Sequence, residues 1–168
     1  IIQVESQIDA DSISHIYDYS VNSTKPNITE VIINSKINRN MSYYFNKTIN
    51  GTFEGIIDKV TQKLKEEGFG ILTEIDVSET LKNKLDVDFK KYKILGACNP
   101  PYAHKALQAE DKIGTMLPCN VIVQEIEAGV FEVAAVNPMA SMQAVENEDL
   151  EKIADEISAM LENVIEKL

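Results

Sequence analysis

YKILGACNPPYAHKALQAEDKIGTMLPCNVIV, residues Tyr92–Val123, holds both cysteines of the chain, Cys98 and Cys119, together with His104. Three of the five prolines also lie in it. Cys98 closes the apolar run Tyr92–Ala97 and precedes Asn99-Pro100-Pro101; Cys119 follows Leu117-Pro118 and opens the run CNVIVQEI. Each cysteine therefore stands where a strand-like run meets a proline or asparagine break. Such junctions lie at sheet ends, where loops present side chains to ligands. If the two strands run antiparallel, both cysteines fall at the same end of the sheet. Between them, Pro100-Pro101 begins a helix running to about Asp111, because proline suits a first turn whose N–H groups have no helical acceptor. His104 lies in that helix, six residues after Cys98.

Outward from this stretch the pattern continues. Cys119–Ile126 and Val130–Val136 form a hairpin with Glu127-Ala128-Gly129 at the turn, ended by Asn137-Pro138. Upstream, Ser42–Ile49 reads as a strand, and Asn50-Gly51-Thr52 turns and caps a helix. In that helix Phe53, Ile56, Ile57, Val60 and Leu64 fall at helical spacing, and Gly68 stands where a left-handed C-cap is needed. Phe69–Val77 is the second strand. Ser78–Leu85 is a short helix with its cap at Ser78, followed by extended Val87–Phe89. Asn147 caps a last helix whose broad apolar stripe includes Leu150, Ile157, Leu161, Val164 and Leu168, with acidic residues opposite; such a stripe covers a sheet. Strands bounded by helices in this order predict an α+β fold, an antiparallel sheet covered on one face.

The runs Gly96–Pro100, Gly-Ala-Cys-Asn-Pro, and Leu117–Val121, Leu-Pro-Cys-Asn-Val, are similar to the paired signature of domain of unknown function 302. The resemblance covers about residues 41–168. It implies a β-α-β4-α-like curved antiparallel sheet gripping its terminal helix, similar to the TATA-box-binding-protein-like or helix-grip type. It also implies a homodimer, for which an exposed sheet edge is the sequence-level reason. It supplies no reaction and no cofactor.

Residues 1–40 differ in texture. They are rich in Ile, Asn and Ser, and Ile13, His15, Tyr17, Tyr19 and Val21 alternate as in a half-buried strand. Ile1–Ile8 and Glu30–Ile37 are weaker strand candidates, so the segment is read as a β-rich extension, with Met41 a natural start for the main domain. The chain begins at Ile1 without a methionine, as in a processed or truncated chain or one carrying an engineered addition. An upstream part of the protein, an added segment, and a strand exchanged onto another subunit's sheet are all open readings. Asn-x-Ser/Thr triplets at Asn22, Asn27, Asn40, Asn46 and Asn50 would accept glycans if the protein is secreted.

Composition narrows the function classes. A chain of 168 residues with 44% hydrophobic and 26% charged residues suits a soluble globular domain with a real core. The net charge of −11 argues against nucleic acid and anionic membranes as partners. The lack of an export pattern makes a cytoplasmic location the expectation. No dinucleotide fingerprint, phosphate loop, nucleophile elbow or HExxH is present. Glu125, Glu127 and Glu132 on the hairpin read as solvating charges.

The chemistry therefore gathers at Cys98 and Cys119, with Asn99, Asn120 and His104 as candidate neighbours. One reading makes the cysteines small buried residues at strand ends. Another makes a thiolate, activated by His104 or a helix N-terminus, for redox or persulfide chemistry. A third is a soft-metal site in which Met116, Met139 or Met142 joins Cys98, His104 and Cys119, since thiolates with thioethers favour Cu(I). The favoured expectation is a thiol-dependent small-ligand binding module, with a thiol enzyme and an assembly subunit using residues 1–40 as alternatives.

Overall fold

The computed structural model describes residues 42–168. The strand candidates in 1–40, His15, and the triplets at Asn22, Asn27 and Asn40 lie outside the described residues.

Five strands build one sheet: β1 (Tyr44–Asn50), β2 (Gly70–Asp76), β3 (Tyr92–Cys98), β4 (Cys119–Glu127) and β5 (Val130–Val136). Their order is β1-β5-β4-β3-β2, every neighbouring pair antiparallel. Register shifts between Ile71 and Thr73 and between Glu125 and Glu127 interrupt the ladders. Such bulges increase the local bend and twist. The expected α+β architecture with an antiparallel sheet covered by helices is what the chain adopts.

Two helices lie on one face, α1 (Phe53–Glu66) and the long C-terminal helix, Glu148–Glu166. Period-two alternation decides which strand residues they cover. Along β4, Cys119, Val121 and Val123 are buried, whereas Asn120, Ile122 and Gln124 face the other way and are less covered. Leu95, Val121, Val123 and Val133 are fully buried with Val60 and Leu64 of α1 and Leu161 and Val164 of the last helix. Each such side chain contributes about 1.5–3 kcal/mol by leaving water. Phe53 and Phe131 stack between the layers at 5.6 Å between centroids.

The ends of these helices follow from their sequences. Thr52 caps α1, its hydroxyl accepting from the Gly55 N–H. Asn147 caps the last helix by accepting from the N–H groups of Asp149 and Leu150. That helix has no basic residue in its last turn. Lys47 and Lys59 reach in from β1 and α1 and donate to the carbonyls of Glu166 and Leu168, where cations suit the negative end of the helix.

Three shorter helices complete the chain: α2 (Val77–Leu85), α3 (Pro100–Ala109) and α4 (Pro138–Ser141), so the last helix is α5. The cap of α2 is Asp76, which accepts from the Glu79 N–H. Ser78, expected as the cap, instead accepts from the Tyr92 N–H and donates to the Lys90 carbonyl. The helix from Pro100 stops at Ala109, and Asp111–Met116 forms a separate 3₁₀ turn. Its Ile113 buries against Ala106 and Leu150, giving a small second core beside the main one. Asn137 is 2% exposed yet fully bonded: its Oδ1 accepts from Ser158 and Met139, and its Nδ2 donates to the Ser42 carbonyl. It thus joins β1, β5, α4 and α5 with no orphaned polar group.

Candidate functional site

Antiparallel pairing of β3 and β4 sets Ala97 opposite Cys119, so Cys98 and Cys119 lie at the same end of the sheet. Both line a cavity of about 30 Å³. Phe69 and Asn99 line it from the same sheet end, Tyr102 from α3, and Met142 from the segment after α4. The remaining wall is aliphatic: Ala97, Leu117 and Pro138 with side chains of α3 and α5. The cavity therefore sits where the main core meets the second one.

The two cysteine-bearing runs interlock, which explains their residue types. Gly96 lies where a Cβ would come within 2.8 Å of the Pro118 ring and closer still to the Thr73 hydroxyl. Only glycine lets Pro118, joined to Leu117 by a cis bond, and Thr73 close over this point of β3. Beside it, the Asn99 amide donates to the Glu67 carbonyl at 3.4 Å. The amide nitrogen lies 3.1 Å from where a Cβ on Gly68 would be, and Gly68 takes φ +83°. Asn99 thus ties the end of α1 to the start of α3; it makes no side-chain cap on α3.

Burial governs the thiols. Cys119 is 8% exposed, and its thiol is pushed up to about 11, first by burial and second by the charge Cys98 would carry. Burial also raises Cys98. Cys98 precedes the N-terminus of α3, a position that favours a thiolate, but the loss of water outweighs it. Both thiols are held protonated at neutral pH, and the low-pKa thiolate is not what this environment makes.

Some candidate residues are not brought together. His104 is exposed and does not line the cavity. Tyr102, Ala103 and Ala106 take the inward face of α3, and helical periodicity turns position 104 away. Asn120 shares β4 with Cys119 but alternates to the opposite sheet face, where it lines a different cavity. Met116, at the end of the 3₁₀ turn, is 37% exposed and lies outside the thiol cavity. The set Cys98, His104, Cys119 and Met116 is therefore not assembled. Among the described residues, no three His, Cys, Asp or Glu side chains group as metal ligands. Of the methionines considered, Met142 lines the cavity and Met139 does not. Phe69 and Tyr102 carried no signal of their own in the sequence; Tyr102 is placed by the helix register that Pro100 starts. Among the described residues no helix is long and apolar enough to cross a membrane.

The family described as "Domain of unknown function DUF302" matches residues 45–168. The crystal structure of an uncharacterized conserved protein DUF302 from Bacillus stearothermophilus is similar at a TM-score of 0.69. It shares 27% identity, over 74% of this chain and 97% of that one. None of the curated proteins matches the chain.

Proposed function

The chain belongs to the DUF302 family, and from that premise we propose that it is a thiol-dependent binding module for a compact, soft ligand held at Cys98 and Cys119. The observation that carries this reading is that both cysteines line one cavity whose other walls are almost wholly apolar. A cavity of about 30 Å³ is above the roughly 10–15 Å³ that one water needs and far below the demands of an organic cofactor. Two thiols with the Met142 thioether nearby offer soft sulfur donors, the set that suits a monovalent soft cation such as Cu(I). Binding exchanges each S–H for a sulfur–metal bond and releases the proton to water, so raised thiol pKa values make uptake strongly pH-dependent. The alternative of a thiol redox or persulfide enzyme needs a thiolate nucleophile, and burial at both cysteines weighs against it.

Competition for Cu(I) against a chromophoric chelator tests this reading. The expected result is one Cu(I) per chain, lost when Cys98 and Cys119 are both replaced by alanine. Apparent affinity should rise by up to about a hundredfold per pH unit while two protons are displaced. Equal competition by the double variant, or none by the native chain, overturns it. Alkylation of both native thiols within seconds at neutral pH would favour the enzyme instead.

A further inference from the structure

The face of the sheet opposite α1 and α5 carries a second, larger cavity, of about 410 Å³. Its floor is Ile122 and Ala134, direct register partners on β4 and β5. Tyr44 from β1 and Tyr92 from β3 line it on either side, and Glu132 and Gln124, another partnered pair, line it further along the same strands. The groove thus spans four strands, and a small residue at its centre leaves the depression between two tyrosines. We propose that it binds a small organic cation, an ammonium group received between Tyr44 and Tyr92 with Glu132 as its counter-charge.

The hydrogen bonding around Glu132 supports this assignment. Its Oε1 accepts from the Gln124 Nε2 at 2.6 Å, and its Oε2 accepts from the Asn46 Nδ2 at 2.7 Å. The two amides orient the carboxylate without neutralising it. Lys90 donates to the Gln124 Oε1 at 2.6 Å, so an amide separates this ammonium from the carboxylate. No basic side chain pairs with Glu132 among the described residues, and none lines the groove. Burial, then Tyr43 and Glu132, raise the Tyr92 hydroxyl, which keeps that ring neutral. Aromatic faces beside an uncompensated carboxylate attract an organic cation through ring quadrupole and charge together. A net charge of −11 favours cations over anions near the surface. A phosphorylated or carboxylate ligand would meet Glu132 with no basic side chain of the described residues lining the groove to hold it.

Choline and the neutral alcohol in which carbon replaces its nitrogen have nearly the same shape, so their comparison isolates charge. The full chain has six tyrosines and no tryptophan, and tyrosine fluorescence or calorimetry reports binding. Choline should bind saturably, at least about tenfold tighter than the neutral analogue, and weaken as salt is added. Glu132→Gln, checked for folding by circular dichroism, should cost choline about tenfold and leave the analogue unchanged. Equal affinity for the two compounds, no saturable choline binding, or a Glu132→Gln variant with native choline affinity overturns the proposal. The native-chain comparison stands even if the variant does not fold.

Discussion

The two faces of β4 have opposite chemical fates although their residues alternate one by one. Cys119 faces the helices, loses its water, and has its ionisation suppressed. Asn120, its neighbour, faces the other way into an open groove. The closed side makes polarisable groups neutral; the open side keeps a carboxylate held by amides and surrounds it with rings. The difference teaches that in this chain a residue's chemistry is set by strand parity before it is set by residue type.

The sharpest way to break this comparison is to delete side chains on the two faces of one strand. Leu95 is fully buried under the helices, whereas its neighbour Ile94 is on the other face and partly exposed. Leu95→Ala should cost about 2–5 kcal/mol in urea unfolding, the range for a buried large-to-small change. Ile94→Ala should cost much less, because water already covers part of the side chain. Similar costs for both would mean that the second face is buried in solution.

Alkaline unfolding sharpens the same contrast. The Cys119 thiol rises from an ordinary value of 9.0 to about 11 in the folded chain. Below pH 9 the thiol is protonated in both states and costs nothing. Above it the unfolded chain sheds the proton that the folded chain retains, so stability falls until about pH 11 and then levels. The loss attributable to this one group is about 3 kcal/mol. Other groups titrate in the same range, so the measurement is the difference in pH dependence between the native chain and Cys119→Ala. Parallel curves would show that Cys119 ionises as an ordinary thiol.

Much of this arrangement was legible in the residues. The hairpin of β4 and β5, the Thr52 and Asn147 caps, the left-handed Gly68 and the stripe of α5 all act locally, and they read correctly. The meeting of Cys98 with Cys119 was legible too, because two antiparallel strands joined at one end bring such positions together whatever the loop does. His104 was not legible. Proline at the start of α3 sets where the helix begins, but packing against α5 decides which side turns inward. The groove was hidden for a different reason. β1 pairs with β5, so Asn46 meets Glu132 across 86 positions, and Glu132 on its own looks like a solvated hairpin charge. Asn137 was read as a strand terminator, since nothing local announces a buried hydrogen-bond hub.

Glycine substitution gives a smaller effect that tests how the two cysteine-bearing runs lock together. Gly70 and Gly96 both lie in strands and neither has a positive φ. A Cβ at Gly70 meets nothing within 4 Å, while one at Gly96 enters the space of Thr73 and of the Pro118 ring. The Thr73 side chain can swing aside, but Pro118 is tied to the backbone directly before Cys119, β4's first buried position. Gly96→Ala should therefore destabilise by about 1–3 kcal/mol, the usual cost of overpacking. Gly70→Ala should be neutral or stabilise by about 0.4–1 kcal/mol, because alanine restricts the unfolded chain. Because Pro118 adjoins Cys119, Gly96→Ala should also speed alkylation of Cys119, and Gly70→Ala should not. Should both variants unfold at the same denaturant concentration, the interlock between the Gly-Ala-Cys and Leu-Pro-Cys runs contributes nothing to the cavity's closure.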